Sequence, residues 1–301
     1  MRAKSYLDEA RANKSDEFYT QYEDIEKELV HYSTNFANKI VLCNCDDPEF
    51  SNFYVYFSTN FLRLKLKELI CTHYANGEPS YALHLTKDKK WKQPLKGDGD
   101  FRSAECLNLL RQSDIIVTNP PFSLFDEFIS LVVQEKKQYL VMGPLNALSH
   151  KAIAPLVLHN KIQLGKSIHS GGRYFRVAAD YPLTAKTYKV DDKGFKYISV
   201  TGIRWYTNML TEKDYPAFMN LTYSIKTFAY NSYDNLKGAI DVNKTETIPY
   251  DFKGIMGVPI SFIDKYNPKQ FELIGFRKGQ DGKDLKVKGK EVFARYLIRK
   301  R

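Results

Sequence analysis

No stretch of this 301-residue chain approaches the roughly 18 consecutive apolar residues that a membrane-spanning helix needs. Its first residues, MRAKSYLDEARANK, are charged where a secretory leader would be apolar. A soluble, cytoplasmic protein with no membrane partner is therefore expected. Cysteine is scarce: Cys43, Cys45, Cys71 and Cys106 have neither the density of a secreted disulfide scaffold nor zinc-ribbon spacing, so reduced thiols are expected. Cys43 and Cys45 lie in an apolar run, which suits a strand presenting two small hydrophobes better than a metal site. No H-x-x-H, paired C-x-x-C or carboxylate ladder suggests a metal elsewhere. Internal repeats, low-complexity blocks and Pro/Gly/Ser linkers are also missing, which argues against loosely tethered independent domains.

What is present is a core and an excess of positive charge. Hydrophobic residues make up 43% of the chain, enough to fill one large α/β domain or two smaller ones. The net charge is +10, and the segment from Arg277 to Arg301 carries ten Lys or Arg against three Asp or Glu. With 14% aromatic residues, such a chain suits a polyanion such as nucleic acid, through counterion release and base stacking. A solvated charge run at a C-terminus would give the same count.

Hydrophobic periodicity gives an alternating order of elements. Tyr22, Ile25, Leu29, Tyr32 and Phe36 recur at helical spacing over 20–36, and KIVLCNC (39–45) is a short β-rich run stopped by Asp46-Asp47-Pro48. SNFYVYFSTNFLRLKLKE reads as a helix and LICTHYA (69–75) as a strand. A polar excursion with Gly77, Gly97 and Gly99 follows. Then come a helix at 103–112, a strand at 114–119, an amphipathic helix in SLFDEFISLVVQEKK and a strand at 138–143. This rhythm predicts an α/β fold with a doubly wound, mostly parallel sheet, whose ligands bind at the carboxyl ends of the strands. Asp46-Asp47 and Asn119-Pro120-Pro121-Phe122 both stand at such ends. Beyond about residue 165 the rhythm weakens: SIHSGGRYFRV reads as a basic loop, and KYISVTGIRWYTNM as one strand or two.

Asn119-Pro120-Pro121-Phe122 has specific chemical consequences. Consecutive prolines cannot continue a ladder, so the strand must end in a stiff, extended turn. The Asn119 Oδ1 and the Pro120 carbonyl then become fixed acceptors, and Phe122 offers a flat apolar face. A planar ring with an exocyclic amine, such as adenine, matches two acceptors and a stacking face. Its nitrogen lone pair is delocalised into the ring, and two acceptors holding its N–H bonds favour a tetrahedral, nucleophilic nitrogen. Taken alone, the same four residues also suit a simple strand-ending turn. Likewise NKSDEFYTQY (13–22), with Ser15 or Asp16 as cap, suits an ordinary helix start.

Taken together, KSDEFYTQYEDIEKEL, CNCDDPEFSNF, GDGDFRSAE, SDIIVTNPPFSLF, IDVNKTETIP and GIMGVPISFIDKYNPKQFELIGFRKG resemble the adenine-specific DNA methyltransferases, and within them the EcoRI modification methylase family. The stretches run in family order from residue 14 to residue 279. The resemblance implies a Rossmann-like S-adenosylmethionine-dependent fold that moves a methyl group to the 6-amino nitrogen of adenine in double-stranded DNA. It implies a cofactor-binding and catalytic core over 14–165, with sheet completion and a DNA target-recognition region over 166–301. Asp16, Phe18, Tyr19 and Thr20 match the N-terminal cofactor motif; Asp46 and Asp47 match the acidic strand end that receives the cofactor ammonium. Asp100 and Phe101 match the position beside the cofactor adenine, and Asn119, Pro120, Pro121 and Phe122 match the catalytic loop.

Base flipping is expected, because a duplex hides the amine in the stack. Arg173 and Arg176 are candidates for groove entry, and Arg277 and Lys278 open a tract suited to phosphates. A monomer suffices for such an enzyme, and a cognate restriction endonuclease is its natural partner. Two features depart from the wider methyltransferase pattern: no glycine follows the first strand, and LICTHYANG lacks the usual acidic ribose ligand, leaving Thr72, His73 and Tyr74. RNA or a protein amide as the acceptor, or DNA binding without catalysis, are the rival readings.

Overall fold

The computed structural model describes residues 18–45, 47–75, 77–177, 179, 181, 188–278 and 284–301. Ser15, Asp16 and Asp46 lie outside the described residues. The chain packs as two compact units: one runs to Pro144 and resumes over Gly165–Met209, and the other comprises Leu145–Leu164 and Leu210–Arg301.

β1 (Tyr19–Thr20) precedes α1 (Tyr22–Leu29). The single helix expected over 20–36 is divided, because Thr20 is spent in a strand and Gln21 becomes the N-cap, while Val30–Phe36 tightens into a 3-10 turn. The expected apolar face survives both changes, with Ile25, Leu29, Tyr32 and Phe36 all buried. Next come β2 (Ile40–Cys43), α2 (Asn52–Thr59), β3 (Glu68–Thr72), β4 (Tyr81–Leu85) and β5 (Lys90–Pro94). They are followed by α3 (Ala104–Gln112), β6 (Ile115–Thr118), α4 (Phe125–Gln134) and β7 (Gln138–Pro144). Ser51 and Ser103 start α2 and α3 by accepting from the Phe53 and Cys106 amides, each at 3.2 Å. α5 (Ala154–Leu158) and β8 (Gln163–Leu164) belong to the second unit, and β9 (Gly172–Arg176), β10 (Tyr188–Val190), β11 (Lys196–Thr201) and β12 (Ile203–Thr207) return to the first.

In the first unit seven strands lie side by side in the order β5-β4-β3-β2-β6-β7-β12. β3, β2, β6 and β7 are mutually parallel, with Val41 opposite Leu69 on one side and Ile115 on the other. β2 and β6 are buried almost throughout, as central parallel strands covered on both faces must be. The polar excursion between Gly77 and Gly97 holds the antiparallel hairpin β4–β5 on the edge of β3. β5, KWKQP, is almost wholly exposed; lysines protect an edge strand from mispairing and also hide it from a hydrophobic pattern. β12 is antiparallel to β7.

A second sheet in this unit runs β1-β9-β11-β10, all antiparallel. The expected basic loop at 169–176 is therefore largely strand. It forms because the Thr20 and Ile198 backbones flank Phe175, whose ring is 1% exposed. Glu28, fully buried, accepts from the Tyr32 hydroxyl at 2.8 Å and from the Lys166 and Ser167 amides at 2.8 and 2.7 Å, pinning the returning chain to α1.

The second unit is built on β13 (Asn231–Tyr233), β14 (Leu236–Asp241), β15 (Met256–Pro259), β16 (Phe271–Arg277) and β19 (Arg295–Lys300), with a hairpin of β17 (Lys286–Val287) and β18 (Lys290–Glu291). The main sheet runs β13-β14-β15-β19-β16 over a core of Met256, Val258, Phe262, Phe271, Tyr296 and Ile298. Asp241 in the IDVNKT stretch is buried: its Oδ1 accepts from Arg295 Nε at 2.9 Å and from the Tyr233 hydroxyl at 2.6 Å, while Arg295 Nη2 donates to Asn243 at 2.7 Å. Among the described residues no helix is long and apolar enough to cross a membrane.

Candidate active site

β2, β3 and β6 end at the same edge of the sheet. Extending the β2–β6 register beyond Val41–Ile115 and Leu42–Ile116 sets Asn44 level with Thr118. The Thr118 hydroxyl donates to the Asn44 carbonyl and ties the two strand ends together. One residue further on, Asn119 is 6% exposed and donates through Nδ2 to the Phe18 carbonyl at 2.5 Å. That bond fixes which amide atom points where. Asn119 Oδ1 is left buried and without a hydrogen-bond partner, and Asn44 Oδ1 is in the same condition. Most buried acceptors in folded proteins are paired, and two unpaired ones on adjacent strand ends leave places that outside donors would satisfy.

Pro121 ends the extended turn by accepting from the Leu124 amide at 2.9 Å, after which Phe122–Leu124 coils into α4. Phe122, 6% exposed, lies 5.6 Å from the Phe18 ring at 55° and 6.2 Å from Phe175 at 86°. Phe18 also meets Phe175 at 5.9 Å and Tyr181 at 6.3 Å. Phe18 thus reaches the turn at Asn119–Phe122 directly, contributing both its carbonyl and its ring. Thr20, 1% exposed, is held by Asn52 Nδ2 donating to its carbonyl at 2.7 Å. Tyr19, alternating with these on β1, instead lines an open cavity of about 410 Å³ with Phe50, Arg176, Phe195 and Tyr197.

The turn after β2 contains no glycine, yet it takes the backbone conformation that glycine favours. Cys45 has φ 81, in the left-handed region. Asp47 closes this turn: its Oδ1 accepts from the Glu49 amide at 2.9 Å and from the Tyr81 hydroxyl at 3.3 Å, and its Oδ2 stands 3.9 Å from His73 Nε2. Burial and the neighbouring Asp47 carboxylate push the Tyr81 hydroxyl well above its ordinary pKa, so it remains a donor.

At the end of β3 the His73 and Ala75 backbones receive the Asp98–Phe101 segment. Ala75 donates to the Asp98 carbonyl at 2.7 Å, and Gly99, φ +81, passes so close that a Cβ would stand 1.9 Å from the His73 carbonyl oxygen. Asp100 is gripped by Arg102, with Nε to Oδ1 at 2.9 Å and Nη2 to Oδ2 at 2.5 Å; this pairing holds its carboxyl below the usual range. Phe101, 5% exposed, packs on Phe128 at 5.2 Å.

The sequence-predicted residues therefore fall into groups. Phe18, Asn119 and Phe122 come together by direct contact, while Asp47, Asp100 and Phe101 stand at the same sheet edge, held by partners of their own. Arg173 and Arg176, three apart on a strand rather than on a loop, point to opposite faces. Arg173 pairs with Asp24 at 3.3 Å, and Arg176 lies 3.6 Å over the Phe195 ring. Arg277 and Lys278 are exposed at the end of β16 in the second unit, where Lys278 donates to Ser149 Oγ at 2.7 Å. Sequence reasoning missed Asn44 and Phe175. Asn44 had a usable signal, an amide directly after a buried strand like Asn119; Phe175 had none, since its burial depends on pairing with β1 and β11.

A family model for the adenine-specific methyltransferase EcoRI matches residues 6–300. The chain is 42% identical to the Type II methyltransferase M.EcoRI of Escherichia coli, over 97% of this chain and 95% of that one. It is 38% identical to M.MgeORF184P of Mycoplasma genitalium and 36% identical to M.MpnI of Mycoplasma pneumoniae, both named as Type II methyltransferases, over 98% of each chain. No solved structure matches.

Proposed function

Since the chain belongs to the adenine-specific methyltransferase EcoRI family, we propose that it is a site-specific DNA adenine methyltransferase serving a restriction–modification system. S-adenosylmethionine is the methyl donor in this reading, and its sulfonium carries the methyl group already activated for transfer. The order of the parallel strands, β3-β2-β6-β7, with Asp47 and Asn119 just beyond the carboxyl ends of β2 and β6, supports a doubly wound, Rossmann-like core.

The observation that carries the proposal is the state of Asn119: Nδ2 committed to the Phe18 carbonyl, Oδ1 buried and unpaired. The Oδ1 accepts one N–H of the target amine and the Pro120 carbonyl accepts the other. Together they favour the tetrahedral nitrogen that attacks the methyl group. Acceptors set in place before the reaction need no reorganisation as positive charge develops on that nitrogen. Pro121 keeps the turn rigid. Phe122, held in place by Phe18 and Phe175, is the platform on which the flipped adenine stacks, a contribution of about 1–3 kcal/mol against an extrusion cost of a few. No dedicated base is needed, because the amine proton becomes acidic only once the methyl group is attached.

The fit to the cofactor rests on the same edge. The unpaired buried acceptor of Asn44 at the end of β2 suits a ligand that brings an N–H donor, and the Asp47 carboxylate on the same turn suits a cation. Asp16, Phe18, Tyr19, Thr20, Asp46, Asp47, Asp100 and Phe101 are assigned to its binding. Arg173, Arg176, Arg277 and Lys278 are assigned to DNA, the last two as phosphate contacts. The enzyme acts as a cytoplasmic monomer, with target recognition in the C-terminal part and a cognate endonuclease as partner.

Labelled-methyl transfer measured in parallel on duplex DNA, RNA and protein tests this reading. Incorporation into DNA, mapped to N6 of adenine at one sequence, is expected. Incorporation into RNA or protein alone would replace it with those activities, and none at all would leave a DNA-binding module.

A further inference from the structure

We propose that Asn44 Oδ1 accepts a hydrogen bond from the α-ammonium of S-adenosylmethionine, an assignment that rests on the methyltransferase reading above. Asn44 is 2% exposed, directly follows β2, and its Oδ1 has no hydrogen-bond partner. Its backbone is fixed independently of its side chain, because the Thr118 hydroxyl donates to the Asn44 carbonyl. Registers place Asn44 level with Thr118 on one neighbouring strand and with Thr72 on the other, at the middle of the sheet edge that holds the candidate active site. A buried amide oxygen kept without a donor at such a position is explained when a ligand brings the donor.

The choice of ammonium follows from the surrounding groups. The target amine already has its two acceptors, Asn119 Oδ1 and the Pro120 carbonyl. The remaining donors of the cofactor are its ammonium, its ribose hydroxyls and its adenine amine. The turn that begins at Asn44 also carries the Asp47 carboxylate, whose negative charge favours a cation over a hydroxyl or a neutral amine. Asp47 spends its Oδ1 on Glu49 and Tyr81, so it adds negative charge beside the cation, while Asn44 Oδ1 supplies an acceptor with no other partner. The left-handed Cys45 then turns the chain off the strand directly after Asn44.

The test compares two ligands that cannot react: S-adenosylhomocysteine, which has the ammonium, and 5′-methylthioadenosine, which keeps the adenosine and thioether but lacks the amino-acid arm. Calorimetric titration of the full chain is carried out for wild type, Asn44→Ala and Asn44→Ser, the last keeping a hydroxyl too short to reach. Both variants are expected to weaken S-adenosylhomocysteine at least tenfold, about 1.4 kcal/mol, and to leave 5′-methylthioadenosine within about twofold. Thermal melting of the ligand-free proteins serves as the folding control, and Asn44→Ser carries the test if Asn44→Ala does not fold. Equal losses for both ligands, or less than about a threefold loss for S-adenosylhomocysteine, would overturn the assignment. Failure of the wild type to bind S-adenosylhomocysteine at all would instead overturn the cofactor reading on which it rests.

Discussion

On the proposed function, Asn119→Ala is expected to separate catalysis from stability. The Asn119 side chain makes one hydrogen bond, from Nδ2 to the Phe18 carbonyl, and carries one buried acceptor with no partner. Losing the bond costs about 0.5–1.5 kcal/mol, and the stranded Phe18 carbonyl adds to that. Removing an unsatisfied buried oxygen returns about 1–3 kcal/mol. The two effects oppose each other, so folding stability is expected to change by about 1 kcal/mol or less. The rate has no such compensation. By comparison with the loss of one preorganised group at a charged transition state, methyl transfer should fall about 10²–10³-fold, or roughly 2.7–4 kcal/mol. Single-turnover transfer of labelled methyl to duplex DNA at saturating cofactor gives the rate, and urea unfolding gives the stability. Asn119→Asp should not rescue it, because its second oxygen would face the Phe18 carbonyl with no hydrogen between them. If Asn119→Ala kept its rate within about tenfold, a loss of only about 1.4 kcal/mol, the acceptor argument would be wrong.

Three further outcomes are expected. Cys45→Gly removes left-handed strain at φ 81 but loosens the unfolded chain, so it should be neutral to about 1 kcal/mol stabilising, whereas Cys45→Val should destabilise; urea midpoints decide, and equal values for the two would refute the strain argument. Phe175→Ala should lower stability by about 3–5 kcal/mol in thermal melts, because it empties a site 1% exposed beneath Phe18 and Phe122, while Phe175→Leu should cost less than about 1.5. For Asp100 the sign follows from its depressed carboxyl: stabilisation by Arg102 is complete above the ordinary carboxylate pKa and is lost as pH falls through the lower folded value. Acid unfolding of Arg102→Gln should therefore move to higher pH than wild type, and coincident acid transitions would refute the pairing.

The parts of this molecule that the sequence disclosed are those in which local rules and tertiary packing agree. β2, β6 and β7 are short apolar runs buried on both faces, and α3 and α4 keep their apolar spacing and start where Ser103 and the proline turn require. The end of β6 before Asn119 was readable because two prolines leave a strand few alternatives. Other elements depend on neighbours remote in sequence. β5 is polar because it is an edge, and β9 exists because β1 and β11 flank it. The loop reading of Arg173 and Arg176 failed for the same reason: both lie on β9 and point to opposite faces, and Asp24, 149 positions away from Arg173, pairs with one of them.

The missing glycine after the first strand separates what such a turn requires from the residue that usually supplies it. The requirement is a sharp exit from β2 that leaves the strand's last polar groups facing a ligand. Glycine meets it at low steric cost; Cys45 meets it with strain of about 1–3 kcal/mol. That strain persists only where the surroundings fix the turn from both sides, which they do here. The Thr118 hydroxyl holds the Asn44 carbonyl before Cys45, and beyond it the Asp47 carbonyl accepts from the Phe50 and Ser51 amides at 2.9 and 2.8 Å. A strained turn clamped in this way cannot relax to satisfy the buried Asn44 amide. Its unpaired oxygen is thus held in place by the Thr118 and Asp47 bonds, as Asn119 on the neighbouring strand is held by its bond to the Phe18 carbonyl.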